Sequence, residues 1–243
     1  MADLQASQIG AVLFDVFGTV VDWRGSLIAD LGAWGAARGI AADWAGLADA
    51  WRDAYAPSMD AVRRGEQPWT VLDDLHRASL QRLAPRFGLS GLTDADLDHV
   101  NRVWHRLSPW PDSVAGLRRL RERRIVAALS NGNVALLIDM AKHAGLPWDC
   151  IVSAELFGHY KPDPECYRGC ARLLDLAPAE LMLVAAHPSD LRAARAAGLR
   201  TAYVRRPLEQ GAGTVLPAFE PEEFELVADD FGDLADRLAG AGD

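Results

Sequence analysis

The sequence predicts an α/β fold, a parallel sheet flanked by helices with a helical cap inserted behind its first strand. Three observations carry this expectation. Short apolar runs rich in β-branched residues alternate with amphipathic helical patterns along the C-terminal half. A first run of the same kind, IGAVLFD, stands apart near the N-terminus. The intervening stretch, residues 24–108, has helical periodicity and no convincing strand.

Composition bounds what such a chain can do. At 243 residues, half of them hydrophobic and 24% charged, it can bury a sizeable core like an ordinary globular protein. A formal net charge of −9 argues against general nucleic-acid binding, so an anionic small substrate requires local positive charge. No apolar run approaches the roughly 20 residues of a membrane span. The opening MADLQASQ lacks the basic and apolar regions of a signal peptide, which leads us to expect a cytoplasmic protein. The three cysteines form no CxxC pair, and Cys166 and Cys170, four apart on a helical pattern, read as packing residues.

In chain order, IGAVLFD is the first strand and ends on Asp15, just before a Gly-Thr turn. The cap follows, rich in Ala, Leu and Trp, and holds Trp34, Trp44, Trp51, Trp69 and Trp104. The core resumes near Pro109 to Asp112. RIVAALSNG, CIVSAEL, LMLVAAH and TAYV are further strands. Between them VALLIDMAKHAGL, PECYRGCARLLDL and DLRAARAAGL are helices closed by Gly or Leu-Pro signals, and FGDLADRLAG is a last helix. This alternation describes a Rossmann-like core of residues 1–23 and 109–243, with the cap at 24–108.

Ligands of open α/β sheets bind beyond the carboxyl ends of the strands. The polar residues that follow the apolar runs are therefore expected to converge: Asp15 and Thr19, Ser130 and Asn131, His187 and Asp190, with Lys161 arriving from a longer loop. A carboxylate, an ammonium, hydroxyls and an amide around one crevice suit a nucleophilic site.

The motifs DVFGT, LSNG, GHYKPDPECY and AAHPSD, in that order, resemble the haloacid dehalogenase superfamily from Asp15 to Asp190, with a cap in the expected place. Most of that superfamily are magnesium-dependent phosphatases. They carry Asp-x-Asp, in which the first Asp attacks phosphorus and the second protonates the leaving alcohol. Here Phe17 stands at the second position, and Ala186 stands where the fourth motif would place a further carboxylate. Magnesium prefers several oxygen ligands in octahedral array, so Asp15 and Asp190 alone make a poor site. Halide leaves as an anion and needs no general acid, only a carboxylate nucleophile, a positive site and a way to hydrolyse the ester.

In these respects, and in the Trp51-Arg52 dipeptide, the sequence is similar to the L-2-haloacid dehalogenase branch. The resemblance implies cofactor-free hydrolysis of (S)-2-haloacids to (R)-2-hydroxyacids through an ester on Asp15, with haloacetates and fluoroacetate as candidate substrates. Lys161 would keep Asp15 ionised, and Thr19 would bond near it. Ser130 and Asn131 would divide the substrate carboxylate and the halide between them. Arg52 would receive the halide and Trp69 line the apolar side of its cradle. Tyr167 would lie near the substrate carboxylate, and Asp190 would hold Lys161 or water. His187 replaces an asparagine common in this branch and could act as a general base. Each has an ordinary alternative: a capping or turn role for Asp15, Thr19, Ser130 and Asn131, a solvated surface for Lys161 and Arg52, packing for Trp69 and Tyr167, a structural hydrogen bond for His187. His76, His99, His105, His143 and His159 show no ligand spacing. A homodimer is a further implication of the resemblance. The competing readings are a phosphoglycolate-type phosphatase and a binding protein that keeps the fold without turnover.

Overall fold

The computed structural model describes residues 6–214 and 218–240. Residues 1–5, on which the reading of the opening segment partly rests, lie outside the described residues, as do 215–217 and 241–243.

The first strand β1 (Ala11–Phe14) leads through a short strand β2 (Val21–Asp22) into helices α1 (Trp23–Arg38), α2 (Trp44–Asp53), α3 (Tyr55–Arg63), α4 (Leu72–Leu83) and α5 (Asp94–Asn101). The chain returns through β3 (Ser108–Pro109) to α6 (Ser113–Arg121). There follow β4 (Ile125–Ser130), α7 (Val134–Ala144), β5 (Cys150–Ser153), α8 (Pro164–Leu174), β6 (Leu181–Ala185), α9 (Pro188–Ala196), β7 (Arg200–Val204), β8 (Leu226–Ala228) and α10 (Phe231–Gly240).

Six of these strands form one parallel sheet in the order β5-β4-β1-β6-β7-β8. Side chains alternate across it with period two. Ala11, Leu13, Ala127, Leu129, Leu181 and Leu183 enter the apolar layer on one face. Val12, Phe14, Val126, Ala128, Met182 and Val184 enter the layer on the other. Burial on both faces is why these strands read as continuous apolar runs in the sequence. The edge strand β8 is a difference from the sequence reading. Its three residues lie between Glu225 and Asp229 and are too short to show a period.

β2 and β3 pair antiparallel, Val21 with Pro109 and Asp22 with Ser108, so the helical layer α1–α5 leaves and rejoins the core at one stem. α1 begins where Asp22 accepts the N–H of Gly25 at 2.8 Å, and ends at Gly39, whose positive φ of 68° lets the chain reverse. Aromatic packing welds this layer to the core. Trp23, Trp51 and Trp104 are fully buried, with Trp104 5.5 Å from Trp51 and 5.8 Å from Phe17 between ring centroids. A polar tie reinforces it: His105 places Nε2 3.1 Å from Asp73 of α4 and Nδ1 2.9 Å from Asp139 of α7.

Cys166 and Cys170 are buried in the packing of α8, and burial pushes both thiols up to about 12. Among the described residues, no helix is long and apolar enough to cross a membrane.

Candidate active site

β1 sits between β4 and β6, where the connections on its two sides diverge, and its end delivers Asp15 to the crevice. The Asp15 N–H donates to Val184 O at 3.0 Å, extending the ladder by one residue and fixing the carboxylate's direction. The turn beyond needs Gly18, at φ 83°, where a Cβ would also collide with Glu209.

Asp15 is buried yet engaged on both oxygens. Lys161 Nζ lies 3.0 Å from Oδ1, while Thr19 Oγ1 donates to Oδ2 at 2.8 Å and His187 Nδ1 stands 2.9 Å from the same Oδ2. Thr19 Oγ1 in turn accepts the N–H of Ala186 at 2.9 Å, so the hydroxyl has one orientation open to it. Burial alone would raise the carboxyl, but the Lys161 ammonium and then His187 outweigh it and hold Asp15 well below the usual carboxylate range. Asp15 is thus an anion at any physiological pH.

Lys161 bridges two carboxylates, Asp15 and Asp190, the latter at 2.5 Å. Burial would lower its pKa, but Asp15 and Asp190 together raise it, so the ammonium stays charged. Asn131 fixes the lysine through its backbone, accepting the Lys161 N–H at 2.7 Å. Tyr167 is fully buried and donates to the other oxygen of Asp190 at 2.6 Å, which places it behind the lysine.

His187 stands between two carboxylates. Its Nε2 is 2.9 Å from Oε1 of Glu209, opposite the Nδ1 contact with Asp15. Both contacts are hydrogen bonds only if both ring nitrogens carry protons. Burial would lower the imidazole, but Glu209 and Asp15 raise it to about 10, so the ring is an imidazolium in the resting protein. Glu209, buried and held below the ordinary glutamate range against its burial by His187, also accepts Trp23 Nε1–H at 3.2 Å.

These groups open onto a cavity of about 450 Å³ lined by core residues Asp15, Asn131, Lys161 and His187 and by Phe17, Arg52, Tyr55 and Met59 from the turn and the helical layer. The Arg52 guanidinium carbon stands 4.4 Å from the Tyr55 ring centroid. Its Nη1 is buried without a hydrogen-bond partner, a cationic donor free for an anion.

Three residues expected to touch substrate or halide do not line this cavity: Tyr167, behind the lysine, Ser130 and Trp69. Ser130 is fully buried beneath the cavity, where its hydroxyl accepts the Gly132 N–H at 3.1 Å and shapes the turn. Trp69 is not among the lining residues; its ring packs on Tyr160 at 4.6 Å between centroids. Glu209 and Tyr55 were not singled out from the sequence. Glu209 lies in the loop after β7, and no motif marks it. Two of the other histidines are structural: His76 is buried with both nitrogens unpartnered, and His105 is clamped by carboxylates. His159 faces Asp163 at 3.5 Å and Glu165 at 3.9 Å, but Arg63 already engages Asp163.

A magnesium ion does not fit this donor set. The space between Asp15 and Asp190, where a cation would bridge carboxylates, holds the Lys161 ammonium. Phe17 offers no ligand and packs its ring 6.3 Å from Tyr55 between centroids.

Comparison with known proteins agrees with this geometry. Residues 9–198 match the family of haloacid dehalogenase-like hydrolases. A crystal structure of an L-2-haloacid dehalogenase superposes with a TM-score of 0.91 at 52% identity, covering 96% of this chain and 99% of that one. A defluorinating L-2-haloacid dehalogenase superposes with a TM-score of 0.91 at 43% identity, covering 95% of each. The (S)-2-haloacid dehalogenase of Xanthobacter autotrophicus is 27% identical over 86% of this chain and 82% of its own length. A phosphoglycolate phosphatase of Cupriavidus necator is 31% identical over 80% of each chain, so overall identity alone does not separate the two chemistries. The chain belongs to the haloacid dehalogenase-like hydrolase family.

Proposed function

We propose that this protein is an (S)-2-haloacid dehalogenase, a hydrolase of carbon–halide bonds that needs no metal or cofactor. The observation that carries the reading is the buried Lys161 ammonium against Asp15, which keeps a carboxylate nucleophile charged without a metal, in a site where Phe17 offers no acid for a leaving alcohol. On this reading residues 1–23 and 109–243 are the catalytic core and residues 24–108 the cap that supplies Arg52.

Asp15 attacks C2 of the substrate from the side opposite the halogen, so the centre inverts and a halide departs toward the unpartnered Nη1 of Arg52. Thr19 and Lys161 hold the attacking carboxylate, and binding in the cavity supplies the alignment that in-line displacement needs. Water then adds to Cγ of the Asp15 ester, releasing the 2-hydroxy acid. His187, against Asp15 on the cavity wall, takes that water's proton once Nδ1 has given up its own. Asp190 and Asn131 keep Lys161 in place through both half-reactions. Haloacetates share the reacting carbon and the carboxylate, and fluoroacetate is the most demanding of them because its leaving group is held by the strongest bond.

The test is halide release from both enantiomers of 2-chloropropionate and from fluoroacetate, with and without chelator. Release from the L-enantiomer alone, unchanged by chelator and giving D-lactate, is the expected result. A single turnover in ¹⁸O-water should leave label in the Asp15 carboxylate. Magnesium-dependent phosphate release without halide release would replace this reading with the phosphatase one.

A further inference from the structure

We propose that Glu209 is a positioning residue that makes His187 change roles within one turnover: proton donor to Asp15 while Asp15 is a carboxylate, proton acceptor once Asp15 is an ester. The inference rests on the dehalogenase reading and adds to it a residue, and a time at which the proton leaves.

The geometry begins with the imidazole held at both ends, by Asp15 at Nδ1 and by Glu209 at Nε2, each at 2.9 Å. Glu209 is not a chance neighbour. Its loop is pinned by Arg206, which donates to Thr19 O at 2.8 Å and pairs both Nη atoms with Asp112 at 2.9 Å. Its carboxylate fits over Gly18, where a Cβ would stand 2.1 Å from Oε1. With Glu209 fixed, Nε2 keeps its proton throughout, and only Nδ1, facing the reacting carboxyl, is free to change state.

The charges that face the ring then decide when it changes. Asp15 and Glu209 touch it; Lys161 and Asp190 lie behind Asp15; Arg52, Asp53 and Tyr55 face it from α2 and α3 across the cavity. In the resting state the imidazolium is stabilised by two carboxylates. Alkylation of Asp15 removes one of those charges, and it also deprives Lys161 of one of its two carboxylate partners. Both changes disfavour a second cation beside the ester. The ring, about a quarter exposed, can release the Nδ1 proton to solvent.

The balance closes. Asp15 carboxylate and the haloacid give ester and halide, and His187 releases one proton. Water adds its oxygen to Cγ as Nδ1 takes one of its protons. The Cγ–O bond to the substrate carbon breaks, and the departing alkoxide takes that proton to become the hydroxy acid. The second water proton, left on the regenerated Asp15 carboxyl, passes to Nδ1 and restores the imidazolium. The one proton that overall hydrolysis releases therefore appears with the halide, before the alcohol.

Stopped-flow mixing of the wild-type enzyme with L-2-chloropropionate and a weakly buffered indicator reads this directly. Proton release at the rate of the halide burst, one per site, is expected. Proton release at the slower rate of alcohol formation would overturn the inference while leaving the dehalogenase reading intact; absence of any halide would overturn both. In Glu209→Gln, the halide burst should persist while ester hydrolysis slows by ~10²-fold or more and its pH dependence shifts. Glu209→Asp, which keeps the charge, should recover part of the rate. Ester hydrolysis in Glu209→Gln with wild-type rate and pH profile would also overturn it.

Discussion

The ammonium of Lys161 lies 3.0 Å from Oδ1 of Asp15, and both groups are buried. This contact governs the protonation state of Asp15, the proposed nucleophile. Lys161→Met leaves Asp15 and Asp190 facing each other without the cation between them, which should destabilise the fold by ~3–5 kcal/mol. Halide release should fall by on the order of 10²–10³-fold. With only His187 left to oppose burial, Asp15 protonates at higher pH than in the wild type, so residual activity should drop on the acid side. The wild-type alkylation rate should instead stay level down to about pH 5, since its carboxyl lies below the usual value near 4. Pre-steady-state halide bursts from pH 5 to 8 check both.

Phe17 is the residue whose identity separates the chemistries, and it is held by packing as much as by function. It is 2% exposed, with Trp104 and Tyr55 against its ring. Phe17→Asp, which restores the phosphatase-like motif, should not create a magnesium phosphatase, because Lys161 already fills the bridge to Asp190. It should cost ~3–5 kcal/mol, as loss of a large buried ring does, before the unpaired charge is counted. Thermal unfolding and a phosphate-release assay with added magnesium measure the two outcomes.

Much of the site was legible because its residues end strands. Asp15, Asn131, His187 and Asp190 each follow an apolar run, and parallel topology brings such positions to one edge. Glu209 escaped notice for a physical reason. It lies five residues beyond the last residue of β7, and its approach to His187 depends on the pairing of Arg206 with Asp112, a contact between segments 94 positions apart. Ser130 and Trp69 differ in the opposite sense: the sequence expects both at the site, and only packing decides that the Ser130 hydroxyl turns onto the Gly132 N–H and the Trp69 ring onto Tyr160. β8 was hidden by its length.

His76 is buried with neither ring nitrogen hydrogen-bonded, stacked 4.3 Å from Trp104 between ring centroids. Burial lowers it to about 3. The unfolded chain binds a proton there near pH 6.5, so it holds more protons than the folded one between about 3 and 6.5, and stability is lost as pH falls through that window. His76→Phe keeps the stacked ring and removes the titration. Its melting temperature relative to wild type should therefore rise steadily from pH 7 to pH 4.5, as scanning calorimetry can show.

His105 should behave with the opposite sign. Burial opposes its charge, but Asp73 and Asp139 at the two ring nitrogens outweigh that and raise it above its ordinary value. The folded chain therefore binds the proton more tightly than the unfolded one. The resulting stability is complete below about pH 6.5 and is lost as pH rises through the folded-state value. Because His105 joins α4 of the helical layer to α7 of the core, its charge acts on the seam between the two. His105→Gln retains a hydrogen-bonding side chain but no charge. It should lower the melting temperature more at pH 6 than at pH 9, and equal shifts at the two pH values would mean that the ring is neutral between its carboxylates.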